Sequence, residues 1–166
     1  MTTEEKIKEQ ATKLNLTLSV AEATSGGQIC SRLVQVPGSS AYFERGIIAY
    51  SKQSKIDLLG MTEEYMSEHG AVSAKSAEAM AAGVRANAST DLGMAETGIA
   101  GPIRGRSPKP IGTAYISISS DDGFETASFE FSGDRKDIQN SIANAALEAL
   151  LQYLTKRDQK IESPPA

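Results

Sequence analysis

Apolar residues change their spacing several times along the chain, and each change marks an element. Ile7, Ala11 and Leu14 recur at helical spacing behind a Thr2-x-x-Glu5 capping box, which predicts an amphipathic helix over about 3–15 ended by Asn15. Residues 17–22 read as a buried strand that breaks into Ala23-Thr24-Ser25-Gly26-Gly27, a tight turn, before a helix over about 26–36 that stops at Pro37. After the Pro37-Gly38-Ser39-Ser40 turn, residues 42–50 carry the β-branched and aromatic side chains of a second strand. Ser51 caps a short helix over 52–59 closed by Gly60, and Thr62 caps another that runs to about His69, with Gly70 as its stop.

The second half is more regular. Ala77, Met80, Ala81, Val84 and Ala88 share one face of a helix beginning at Ser73, and their small size predicts close packing against a sheet or another helix. Residues 91–96 read as a strand leading into the glycine-bearing loop Thr97-Gly98-Ile99-Ala100-Gly101-Pro102 and a long, basic, turn-rich surface loop over 103–110. Strands over 112–119 and 124–131 alternate cleanly and are joined as a hairpin at Asp121-Asp122-Gly123. Ser132-Gly133-Asp134-Arg135 caps a C-terminal helix whose stripe is Ile138, Ile142, Ala145, Ala149, Leu150, Leu151 and Leu154. The charged segment 156–166, ending Ser-Pro-Pro-Ala, is expected to be a disordered tail. The pattern predicts a single α/β domain over 1–155, a three-layer α/β/α sandwich on a mixed, mostly parallel sheet of about five strands.

Composition narrows the function more than the fold. A chain of 166 residues suits one core, and 40% apolar with 23% charged residues is ordinary for a globular protein. A net charge of −4 without a basic cluster gives no footprint for nucleic acid. Cys30 is the only cysteine, so an intrachain disulfide and a thiolate zinc cage are excluded, and its apolar neighbours predict a buried thiol. No window approaches a membrane span and the first residues lack a signal-peptide pattern, so a cytoplasmic protein is expected.

His69 is the only histidine, and at a helix end beside Gly70 it reads as a dipole-compensating residue, which argues against a Ser-His-Asp triad. The acids are scattered and suggest no metal site. Hydroxyl and lysine chemistry remains. A lysine deprived of water can hold a neutral amine that accepts a nucleophile's proton, and Lys55, one helical turn beyond Tyr50-Ser51, is a candidate. Its competing reading is a solvated helix lysine. Gly26-Gly27 could cradle an anion, form an oxyanion hole or merely connect a strand to a helix, and Gly98-x-x-Gly101 is a second loop of the same kind.

Five segments, in order, carry a resemblance: Ala21-Glu22-Ala23-Thr24-Ser25-Gly26-Gly27; Pro37-Gly38-Ser39-Ser40 through Phe43-Glu44-Arg45-Gly46 to Tyr50-Ser51-x-x-x-Lys55; His69-Gly70-Ala71-Val72-Ser73; Gly98-Ile99-Ala100-Gly101-Pro102; and Phe131-Ser132-Gly133-Asp134-Arg135. Together they resemble the CinA C-terminal-domain family across nearly the whole chain, as a stand-alone domain without the N-terminal domain of longer CinA proteins. The resemblance implies an anticodon-binding-domain-like α/β/α fold and a homo-oligomer. It also implies hydrolysis of nicotinamide mononucleotide to nicotinic acid mononucleotide and ammonia, with no metal or cofactor. The family's nucleophile is the serine of Glu-Ser-Cys-Thr-Gly-Gly, assisted by a tyrosine and a lysine that match Tyr50 and Lys55.

The nucleophile is the one part that does not match. Ala23 occupies its position, followed by Thr24 and Ser25 where the family has cysteine and threonine. Three readings follow. In the first, the chain is an amidase-family enzyme that uses Ser25 or Thr24 as a displaced nucleophile or acts on an altered substrate. In the second, it binds a small nucleotide without turnover, through a pocket built from Gly26, Gly27, Ser39, Arg45, Gly98 and Gly101. In the third, it has an interaction or structural role, as an oligomer subunit whose pocket is vestigial.

Overall fold

The computed structural model describes residues 1–163 and residue 165. Eleven main elements follow in order: α1 (Thr3–Lys13), β1 (Leu18–Glu22), α2 (Gln28–Val34), β2 (Phe43–Ile48), α3 (Lys52–Leu59), α4 (Glu63–His69), α5 (Ala74–Ala88), β3 (Leu92–Gly98), β4 (Thr113–Ser120), β5 (Gly123–Glu130) and α6 (Arg135–Glu162). A single 3₁₀ turn, Ser39–Ala41, precedes β2. The Thr2 capping box forms as the sequence predicts, with the Thr2 hydroxyl accepting from Glu5 N–H and the Glu5 carboxylate accepting from Thr2 N–H. Asp134 and Asp137 make the same reciprocal arrangement at the start of α6.

The sheet has the order β2-β1-β3-β4-β5. β1 pairs in parallel with both β2 and β3, while β4 is antiparallel to β3 and to β5. Four strands therefore run one way and β4 runs against them. The chain leaves β1 for β2 on one side and reaches β3 on the other, so the strand order reverses between β1 and β3. In open α/β sheets, ligands bind beyond the carboxyl ends of strands at such a switch point.

Alternation along the strands divides the core. Leu18, Val20, Leu92, Met94, Ile116 and Ile118 pack with Ile7 and Ala11 of α1, Ile29 and Leu33 of α2, and Ala146, Leu147 and Leu150 of α6. Ala21 and Ala95 face the other way, onto Met80, Ala81 and Val84 of α5 and Leu59 of α3. The three layers are thus α1, α2 and α6; the sheet; and α3, α4 and α5. Among the described residues no helix is long and apolar enough to cross a membrane.

One boundary differs from the sequence reading. The segment from residue 156, expected to be disordered, continues as helix to Glu162. Lys13 Nζ donates to Asp158 at 2.6 Å and Glu162 at 2.9 Å, and Arg157 donates to the Tyr153 hydroxyl at 2.9 Å. Composition alone registered the charges of this segment but not the partners that α1 brings to them. Residues 164 and 166 of that expected tail lie outside the described residues.

Candidate active site

Two turns meet at the carboxyl ends of β1 and β3. Ala21 is in register with Ala95, which puts Glu22 and Glu96 side by side on the α2 and α6 face of the sheet. Beyond Glu22 the chain turns through Gly26 (φ 63°) and Gly27 (φ 104°), conformations that side-chain-bearing residues rarely adopt, and enters α2. The Thr24 hydroxyl donates to the Gly98 carbonyl at 3.0 Å, locking the β1 turn to the β3 loop. Gln139 of α6 donates to the Thr24 carbonyl at 3.0 Å.

Beneath the turn lies a buried acid pair. Glu96 Oε1 accepts from the Ala23 N–H at 2.6 Å, the Ser25 N–H at 2.9 Å and the Ser25 hydroxyl at 2.8 Å. Glu22 Oε1 accepts from the Ile29 N–H at 2.5 Å and lies 2.9 Å from the same Ser25 hydroxyl. Glu96 is 0% exposed, and the second oxygen of each carboxyl is buried without a hydrogen-bond partner among the described residues. Burial pushes both carboxyls above their ordinary range, against the downward pull of these hydrogen bonds. Burial and the adjoining Glu22 also push the Cys30 thiol up, so Cys30 is an unreactive thiol.

Lys55 is 6% exposed on α3. Burial holds its amine below the usual lysine value, and the charge of Glu96 pulls it partly back. The solvated-helix reading of Lys55 is therefore excluded by its burial. Ala23, the residue at the position of the resembled nucleophile, is buried in the same layer with Ala49, Leu59 and Met61.

A cleft of about 640 Å³ opens beside these turns. Its wall takes Thr24 from the β1 turn, Tyr50 from the end of β2, His69 to Val72 between α4 and α5, Gly98 to Gly101, the basic loop, and Arg135 at the start of α6. Arg104, Arg106, Lys109 and Arg135 line it against one acid, Glu68. Arg135 bridges two walls, donating to the Gly101 carbonyl at 2.8 Å and to the Tyr50 hydroxyl at 3.1 Å. Lys109 turns inward instead, donating to the Val72 carbonyl with its ammonium 4.9 Å from the Tyr115 ring centroid. The basic loop is thus tied at Lys109, while Arg104 and Arg106 remain exposed.

The residues singled out from sequence fall into three places. Thr24, Tyr50, Gly98 and Gly101 line the cleft. Ala23, Ser25 and Lys55 are buried and do not line it, with Ser25 at 2% exposure and its hydroxyl committed to the acid pair. Gly26 and Gly27 line a separate shallow recess with Gln28, Ser31 and Arg32, Ser39 is buried in the 3₁₀ turn, and Arg45 donates to Asn87. Sequence reasoning missed Glu96 and Arg135 as site residues. An acid closing the otherwise apolar Leu92-Gly93-Met94-Ala95 run was the available signal for the first.

Comparison with known proteins agrees with this architecture. The sequence profile described as the CinA C-terminal domain matches residues 1–154. A "CinA-like protein" of Syntrophus aciditrophicus is 46% identical over 146 residues, covering 86% of this chain and 34% of that protein. Another, of Syntrophotalea carbinolica, is 44% identical over 143 residues, covering 86% and 35%. The chain thus spans about a third of the length of these curated relatives. Among solved structures, a competence or damage-inducible protein from Enterobacter asburiae superposes with a TM-score of 0.88 at 29% identity, covering 92% of this chain and 96% of that one. The competence/damage inducible protein CihA from Agrobacterium tumefaciens gives 0.86 at 32% identity, covering 92% and 93%.

Proposed function

This chain belongs to the CinA C-terminal domain family, and from that premise we propose that it is a nicotinamide-nucleotide amidase-like protein. Its cleft takes a pyridine mononucleotide or a closely related small nucleotide, and its hydrolytic step is slow or lost. The observation that carries the reading is that residue 23 has only a methyl group while Lys55 is buried, with burial holding its amine below the usual lysine value. In the reaction of the resembled enzymes water and the carboxamide become a carboxylate and ammonia. A serine oxygen attacks the carbonyl, a lysine amine takes its proton, and water releases the acyl group. Ala23 offers no oxygen for the first bond.

Neither neighbouring hydroxyl takes its place. The Thr24 hydroxyl donates to Gly98, and the Ser25 hydroxyl lies between two carboxyls away from the cleft wall. A reacting group misplaced by about 1 Å already loses much of its rate advantage. The cleft supports the binding half of the proposal. Its four cations against one acid suit a phosphate, and its volume is within the usual range of small-ligand sites.

The test is ammonia release from nicotinamide mononucleotide by the native chain and by Ala23→Ser, with calorimetry on a panel of mononucleotides. Native turnover is expected below about 1 s⁻¹. Ala23→Ser should raise it, and calorimetry should give micromolar binding to at least one mononucleotide. Silence across the panel would overturn the binding reading, and fast native turnover the claim of a lost step.

A further inference from the structure

Of the cations in the cleft wall, Lys109 is spent on the Val72 carbonyl and the Tyr115 ring. Arg135 is both anchored and without a carboxylate partner among the described residues. Its Nη1 donates to the Gly101 carbonyl at 2.8 Å and its Nη2 to the Tyr50 hydroxyl at 3.1 Å. Asp134 and Asp137, its neighbours at the start of α6, accept from each other's N–H groups at 2.9 and 3.1 Å, and Glu68 lies 3.8 Å from His69 Nε2. A guanidinium has five N–H donors, so two bonds leave three for a ligand. The same contact gives Tyr50 a direction. Because its oxygen accepts from Arg135, its own hydrogen points elsewhere, and it has no acceptor among the described residues. Tyr50 is 64% exposed on the cleft wall, so that hydrogen is offered to whatever enters.

We propose that Arg135 and Tyr50 form one recognition unit for an oxyanion of the ligand: Arg135 supplies charge and free N–H groups and turns the Tyr50 O–H toward the same oxygens. A neutral carboxamide offers a single uncharged acceptor oxygen, whereas a phosphate or a carboxylate offers several that share a charge. Bonds to such oxygens are about twice as strong as neutral ones, so the unit selects the oxyanion. Preorganisation adds to this. The Gly101 and Tyr50 contacts fix the Arg135 side chain before the ligand arrives, so less rotamer freedom is lost on binding. Arg104 and Arg106, exposed on the basic loop, add charge with no such anchor among the described residues. The inference rests on the mononucleotide reading only for the identity of the ligand, and the donor geometry is measurable with inorganic phosphate alone.

The experiment titrates the native chain with inorganic phosphate and follows the Arg135 Nε–H and the Tyr50 ring by NMR, with Arg135→Lys and Tyr50→Phe identifying the signals. Both signals should move with a single dissociation constant. Each substitution should weaken phosphate binding about tenfold, the loss of one hydrogen bond to a charged group. The double variant should be little weaker than Arg135→Lys alone, because without the guanidinium the phenol has no fixed direction. An unmoved Arg135 or Tyr50 signal, or losses that simply multiply in the double variant, overturns the unit. Both side chains are exposed, so neither substitution reaches the core, and Arg135→Lys keeps the charge. A role through charge alone predicts no loss in that variant. A second arm measures nicotinamide mononucleotide, nicotinamide riboside and nicotinic acid riboside by calorimetry. Weaker binding of the mononucleotide in Arg135→Lys, with the nicotinamide riboside unchanged, assigns the unit to phosphate; weaker binding of the acid riboside assigns it to carboxylate. If the mononucleotide and the acid riboside both bind the variants as tightly as the native chain, the unit is overturned and the nucleotide reading stands. Inorganic phosphate that binds as expected beside a silent mononucleotide supports the unit and defeats only the nucleotide reading.

Discussion

Ser25 shows how one side chain can serve the fold where the sequence suggested chemistry. Its hydroxyl connects two buried carboxyls, and its N–H closes the turn onto Glu96. Ser25→Ala removes the hydroxyl but leaves each Oε1 with at least one amide donor, so the loss is that of a charge-assisted hydrogen bond and not of a wholly orphaned acid. About 1–3 kcal/mol is expected, read in urea unfolding as a lower midpoint with an unchanged slope. An unmoved midpoint would mean that the hydroxyl is not holding the pair. At this scale the sequence singled out Lys55 by its distance along the chain from Tyr50 and Ala23 by a motif, and the structure shows both buried. Glu96 was not singled out, because its importance comes from register with Glu22, some seventy residues earlier, which no local pattern records. Arg45 and Ser39 were assigned to the pocket, yet Arg45 is directed to Asn87 and Ser39 is enclosed in its own turn.

Elements were more legible than residues, since they follow from spacing and caps. The small stripe of α5 predicted a close approach, and the structure shows how close. A Cβ on Gly93 of β3 would overlap the Ala81 carbonyl oxygen and come within 2.6 Å of Arg85 Cβ, and one on Gly83 of α5 would overlap the Leu59 carbonyl of α3. Gly93→Ala must therefore push α5 off the sheet or bend β3. Overpacking of this kind costs about 1–3 kcal/mol, and because backbone is the obstacle the loss should fall in the upper part of that range. Thermal unfolding checks it, and a variant as stable as the parent would show that the layers can separate freely. The far end of α6 was illegible for the opposite reason. Charges with no local partner read as tail, but α1 supplies Lys13 to Asp158 and Glu162.

For the whole molecule, the ionisable groups that fold into unusual surroundings predict how stability depends on pH. Asp91, held by the Thr17 N–H and hydroxyl, and Glu4, which accepts from Arg32, have lowered values. Their contribution is present above their unfolded pKa values and is lost as pH falls through the folded ones. Glu22 and Glu96 act with the opposite sign. Burial raises both above 4.5, so above that pH the folded chain holds more protons than the unfolded one, and stability falls as pH rises until these carboxyls ionise. Lys55, depressed below 10.5, binds fewer protons folded than unfolded and restores stability between its folded value and 10.5. The native chain should thus be most stable in mildly acidic solution, near the unfolded carboxylate range, and lose melting temperature toward neutrality. In the double variant Glu22→Gln, Glu96→Gln the acids can no longer ionise, so its melting temperature should not decline over the same interval, whatever its starting value. Melting curves taken in steps from about pH 5 to pH 8 check this linkage. Parallel slopes in the two proteins would show that the buried pair does not keep its proton on folding.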